Sequence, residues 1–135
     1  MSKAPLTKKL GITIDAAAAT ADKSTAVGVS PFAGTVTGIN YTAVAAVTGA
    51  ATDTRTLTLV NKGTDGSGTT VIGTLALASG VNLVAFDEKA FTLSAVAHAT
   101  EVATGDVLAF VSTHGGSSGL ADPGGLVSAT ITRTP

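Results

Sequence analysis

The chain has 135 residues, which suits one domain with a single core. Hydrophobic residues reach 44% and charged residues only 13%, which excludes wholesale disorder, and 4% aromatics without Trp leave the core to Val, Leu, Ile and Ala. A formal net charge of −1 gives no overall attraction to nucleic acid or an anionic membrane, and zero Cys excludes a disulfide framework, a thiolate zinc site and a cysteine nucleophile.

Residues 1–23 differ from the rest. Lys3, Lys8, Lys9 and Lys23 supply half of all Lys and Arg, beside an Ala run and little alternation. This reads as an extended basic arm, mobile when free, with room for a short strand or turn over 10–15. Its Lys-rich start, apolar stretch and small residues imitate a secretory signal. Asp15, however, ends the apolar stretch short of the usual ~7–15 residues, so no signal is expected. No run approaches the ~20 apolar residues of a spanning helix, and a soluble protein is expected.

Residues 24–135 read as one β-sandwich domain. Candidate strands cover 25–30, 35–47, 55–61, 69–78, 85–94, 106–113 and 126–133. Period-2 alternation is clearest in Thr56-Leu57-Thr58-Leu59 and Ser128-Ala129-Thr130-Ile131-Thr132. Turn chemistry separates the runs, as in Lys62-Gly63-Thr64-Asp65-Gly66-Ser67-Gly68 and Asp122-Pro123-Gly124-Gly125. Gly38 and Gly73 fall inside strands, where glycine marks a bulge or a close approach. The expected fold is all-β: an antiparallel two-sheet sandwich, jelly-roll-like and carrying an N-terminal arm, with the strand order open. The Cys pair and core Trp of immunoglobulin domains are missing.

Several motifs invite chemistry and resolve into loops. Gly115-Gly116-Ser117-Ser118-Gly119 matches the G-x-S-x-G elbow, but no His follows Ser117 to act as base, and a Gly/Ser loop is the better reading. His98 and His114 are the only imidazoles and show no H-x-x-x-H spacing, so no metal site is expected. Asp65-Gly66-Ser67-Gly68 imitates a calcium loop, yet the twelfth position is Ala76 instead of Glu. Asn40-Tyr41-Thr42 is formally a glycosylation sequon and reads as a strand segment. Asp87-Glu88-Lys89, between Phe86 and Phe91, is the densest charge cluster. It serves either as a solvated or edge-protecting turn or as a contact with a partner subunit. No Walker loop, dinucleotide fingerprint or basic-aromatic stripe occurs, so neither an enzyme nor a nucleic-acid binder is expected, and no cofactor is called for.

Four stretches carry a resemblance: Arg55-Thr56-Leu57-Thr58-Leu59-Val60-Asn61-Lys62-Gly63, Ala85-Phe86-Asp87-Glu88-Lys89-Ala90, Gly105-Asp106-Val107-Leu108, and Gly119-Leu120-Ala121-Asp122-Pro123-Gly124-Gly125-Leu126-Val127. Together they resemble the capsid decoration, or cement, proteins of tailed bacteriophages. The resemblance implies a structural virion protein on the capsid exterior, made in the host cytoplasm, trimeric, and clamping neighbouring major capsid subunits. It maps no functional residue one by one.

The residues add expectations of their own. Lys3, Leu6, Lys8, Lys9, Leu10 and Ile12 of the arm are capsid-contact candidates, and Asp87, Glu88 and Lys89 are subunit-interface candidates. With the arm expected to be free, removing residues 1–20 should leave the sandwich folded. Two other classes stay open: a carbohydrate- or receptor-binding sandwich of a tail fibre, which the scarcity of aromatics disfavours, and a head–tail or tail-tube subunit.

Overall fold

A computed structural model describes residues 6–134. Its strands are β1 (Thr7–Ile14), β2 (Lys23–Val29), β3 (Gly34–Ala43), β4 (Thr54–Asn61), β5 (Thr70–Leu77), β6 (Glu88–Ala90), β7 (Thr92–Leu93), β8 (Glu101–Val102), β9 (Val107–Gly115) and β10 (Gly125–Arg133). The long strands from β2 onward follow the expected segments closely, whereas the strand expected over 85–94 is split into β6 and β7, which enter different sheets. The long strands form where Thr alternates with Val, Leu or Ile, a pattern that suits a pleated surface with one face in water.

Two antiparallel sheets result. The first has the order β1-β10-β3-β6, with β8 also on β3, and the second has the order β2-β9-β4-β5-β7. The pairing is nested: β1 lies on β10, β2 on β9, β3 on β6 and β8, and β4 on β5. The chain is thus a long antiparallel ribbon with its tip at the β4–β5 hairpin, wrapped so that alternate pairs enter opposite sheets. That wrapping is the jelly roll.

Between the sheets lie Val36, Ile39, Tyr41, Leu57, Leu59, Ile72, Leu108, Phe110, Val127 and Ile131, all fully buried. Tyr41 and Phe110 stack at 5.4 Å between ring centroids, joining the two sheets at one point. Gly38 and Gly73 both sit at register shifts. Thr130 faces Gly38 while Ile131 faces Val36, and Leu59 faces Gly73 while Val60 faces Val71. These are the bulges expected for a strand glycine. At Gly73 a Cβ would stand 2.7 Å from Ile39 Cδ1, so the glycine also permits the close packing of the two sheets.

The N-terminal segment departs from expectation. Residues 7–14 are not a free arm; β1 pairs with β10 in unbroken register from Thr7↔Thr132 to Ile14↔Gly125. Ile14 is buried, and Leu10 and Ile12 pack against the core. The physical reason is the short alternation Leu10-Gly11-Ile12-Thr13-Ile14, which turns three aliphatic side chains to one face. Lys8 and Lys9 are exposed on an edge strand, where charge discourages stray pairing. The domain therefore begins within the segment read as arm, and Leu10 and Ile12 are half-buried against the core instead of lying on a free arm. Lys3 lies outside the described residues.

Candidate assembly surface

The strand pairings assign each loop to one end of the sandwich. At one end are the start of β1, the end of β10 and the start of β3. At the other are the end of β1, the start of β10, the end of β3 and the start of β6. The second end carries the features that a fold alone does not require.

Arg55 lies at that end, opposite His114 of β9. It shares its face of β4 with Leu57 and Leu59, so its side chain is fully buried. A buried guanidinium needs acceptors for its five N–H groups. Nε donates to the Leu120 carbonyl, and Nη1 donates to Ser112 Oγ at 2.8 Å. Nη2 reaches the carbonyls of Ala18, Ala19 and Ala21 at 3.0, 3.2 and 2.9 Å. Ser112 in turn donates to Asp122 Oδ2 at 3.1 Å, and Tyr41 donates to Asp122 Oδ1 at 2.6 Å. The buried charges of Arg55 and Asp122 are thus bridged by one hydroxyl. Among the described residues, no buried side-chain nitrogen or oxygen lacks a partner.

This network holds two loops. The β1–β2 loop (15–22) supplies carbonyls to Arg55, and the β9–β10 loop (116–124) supplies Leu120 and Asp122. Ala17 and Asp122 exchange both backbone bonds, at 2.8 and 2.9 Å, and Asp122 Oδ1 also accepts the Gly124 N–H at 3.0 Å. Pro123 and Gly124 are thereby fixed beside Asp15 and Ala16.

Burial, and then the hydrogen bond to Asp122, push the Tyr41 phenol far above its ordinary value. A raised phenol pKa means the folded state keeps a proton that the unfolded chain loses, so stability falls as pH rises past ~10. Tyr41 is the sole tyrosine, which makes the test clean. Tyrosinate absorbance should appear together with loss of β-sheet circular dichroism in an alkaline titration. Ionisation with the fold intact would refute this environment.

The fixed loops form one wall of an apolar groove of about 450 Å³, lined by Ile14, Thr42, Val44, Phe86, Pro123 and Leu126 among others. Val44 N–H donates to the Gly124 carbonyl at 3.0 Å, and Phe86 N–H donates to the Ala43 carbonyl at 2.7 Å. Phe86 is 75% exposed and holds φ at +59°. A bulky residue in the left-handed region costs of order 1–3 kcal/mol. Here that conformation holds an apolar ring out in water. Val44, Val84 and Leu126 are exposed at the same end.

The residues singled out from sequence separate across the molecule. Leu6, Lys8 and Lys9 are exposed at the first end, with Arg133 N–H bonded to the Leu6 carbonyl at 2.8 Å. Asp87, Glu88 and Lys89 lie at the second end beside Phe86. Glu88 faces Thr42 and Lys89 faces Tyr41 on the edge of the first sheet. Phe91 turns inward and is buried, whereas Phe86 turns outward.

The remaining motifs form turns. Asp53 Oδ1 accepts N–H bonds from Ser118 and Gly119, and Gly116 and Gly119 take positive φ, so the G-x-S-x-G stretch is a tight loop. His114 directs Nδ1 to Asp22 Oδ1 at 2.7 Å instead of engaging Ser117. Hydrogen bonds from the His114 backbone and ring hold the Asp22 carboxyl below its ordinary value. Ser117 should therefore resist a serine-directed fluorophosphonate probe. Stoichiometric labelling at Ser117, read by mass spectrometry, would overturn that expectation. Asp65 closes an Asx turn on Ser67, and Asn40 is paired on both sides within β3.

Sequence reasoning missed Arg55 and Ser112, and it met Asp122 only as a turn residue. The phase of Arg55 with Leu57 and Leu59, and of Ser112 with Leu108 and Phe110, was the available signal. No protein-family model, curated protein or solved structure matches the chain.

Proposed function

We propose that this chain is a structural virion protein that decorates and stabilises a phage capsid by binding across neighbouring major capsid subunits. The observation that carries the reading is the apolar groove with Phe86 held outward at its edge. A folded monomer gains nothing from an exposed, left-handed phenylalanine, whereas a contact surface does. The jelly roll is a fold of viral capsid domains, which supports the reading by analogy only. The sequence resemblance to cement proteins points the same way and supplies the trimer and the major capsid protein as partner. Joined copies would bind a shell at several points at once, so modest single contacts suffice.

The test is co-sedimentation of purified protein with undecorated phage shells, followed by particle imaging. Ordered density at repeated positions on the shell exterior is the expected result. Rings stacked along a tail, or binding to a glycan array without binding to shells, would replace this reading with a tail-tube subunit or a receptor-binding module.

A further inference from the structure

The first sheet separates charge along its strands. Its first end carries Lys8 and Lys9 at the start of β1 and Arg133 at the end of β10, with Glu101 on β8 as the nearby acid. Exposed Leu6 sits among these cations. Its second end carries Asp15 just after β1, and Asp87 and Glu88 at the start of β6, with Lys89 as the nearby cation. The apolar groove opens among those acids, and Asp15 itself lines it. One end thus presents an exposed apolar side chain beside cations, with Lys8 and Lys9 on opposite faces of β1. The other presents an apolar groove with Asp15 in its lining and Asp87 and Glu88 following Phe86 at its edge.

We propose that copies of this chain join head to tail, the basic end of one first sheet seated in the acidic, Phe86-edged groove of the next. Charge complementarity selects a second copy as occupant, because both halves of the contact belong to one sequence. The two patches differ, so the contact is heterologous and closes into a ring when the rotation permits. Two like ends would repel, which favours this over a symmetric pairing of grooves. The buried Arg55–Ser112–Asp122 network gives the groove a rigid wall, which lowers the ordering cost of docking. The inference deepens the assembly part of the proposed function and needs only copies of this chain, with no shell present.

Sedimentation equilibrium over a range of concentration and salt tests it. The wild type should associate, more weakly as salt rises. Lys8→Glu with Lys9→Glu, or Asp87→Lys with Glu88→Lys, should each weaken association by about tenfold, since each reversal sets like charges against one another. All four substitutions in one chain should restore it. Phe86→Asn, at a position suited to left-handed backbone, should leave the melting temperature no lower and weaken association by a similar factor. A chain monomeric at every concentration overturns the proposal, as does association indifferent to either reversal. Folded double variants that the four-fold variant fails to rescue overturn it too, because the two ends then do not meet. Loss of shell binding with salt-dependent association intact would count against the capsid reading alone.

Discussion

Replacing Arg55 by Met should lower the melting temperature by roughly 10–20 °C, taking ~3–5 kcal/mol for breaking a buried charge pair at one partner. Met fills the volume of the arginine stem but offers no donor. Asp122 then keeps a buried charge with only Ser112, Tyr41 and the Gly124 amide to solvate it. The carbonyls of Ala18, Ala19, Ala21 and Leu120 lose their shared donor at the same time. The loss should be local before it is global, with faster amide exchange across 15–22 and 116–124 than in the sheets. A double variant that also carries Asp122→Leu should be less destabilised than the two single effects summed, because the orphaned charge is gone. Thermal denaturation of the four proteins measures this cycle. A drop of only a degree or two for Arg55→Met would show that the network contributes little.

Removing residues 1–14 should abolish cooperative folding. The deletion takes away the buried Ile14, at about 1.5–3 kcal/mol, and the partly buried Leu10 and Ile12 that pack against the core, each for a smaller loss. It also strips the backbone partners of β10 from Thr132 to Gly125, leaving a long bare edge. Those losses together are comparable to the whole ~5–15 kcal/mol of a typical domain. The first sheet would retain β10, β3, β6 and β8, with the Leu10 contact to Gly28 in β2 lost as well. Circular dichroism with heating should show no sigmoidal transition in the truncated protein. A truncated chain that melts within a few degrees of the full one would restore the arm reading.

That second result turns on residues whose pattern was present in the sequence. Leu10, Ile12 and Ile14 alternate correctly for a strand, but the lysines before them and the alanines after them gave the segment the composition of an arm. Phe86 and Phe91 carry a similar lesson. Phe86 stands in a left-handed turn and Phe91 between β6 and β7, so no single strand alternation governs both, and only Phe91 joins the core. Which one went inward was decided by Phe91 N–H donating to the Ile39 carbonyl, at 2.9 Å, deep beside β3.

By itself, the amino-acid sequence determined the class of fold and nearly every long strand, because a Thr/aliphatic alternation is a local property that a pleated ribbon reads directly. It also determined the bulges at Gly38 and Gly73, since a missing Cβ permits a local slip in register. The tertiary structure alone decided the order of strands, because β1 finds β10 and β2 finds β9 across the length of the chain, and no local pattern encodes a partner so distant. It alone decided that Arg55 is buried. Charge argues for the surface, and burial becomes tolerable only when loops 15–22 and 116–124 converge to supply acceptors that no neighbour in sequence could provide. The groove beside Phe86 belongs to the same class, for its walls come from β1, β3, β10 and the turn before β6, and they exist only once the ribbon has been wrapped.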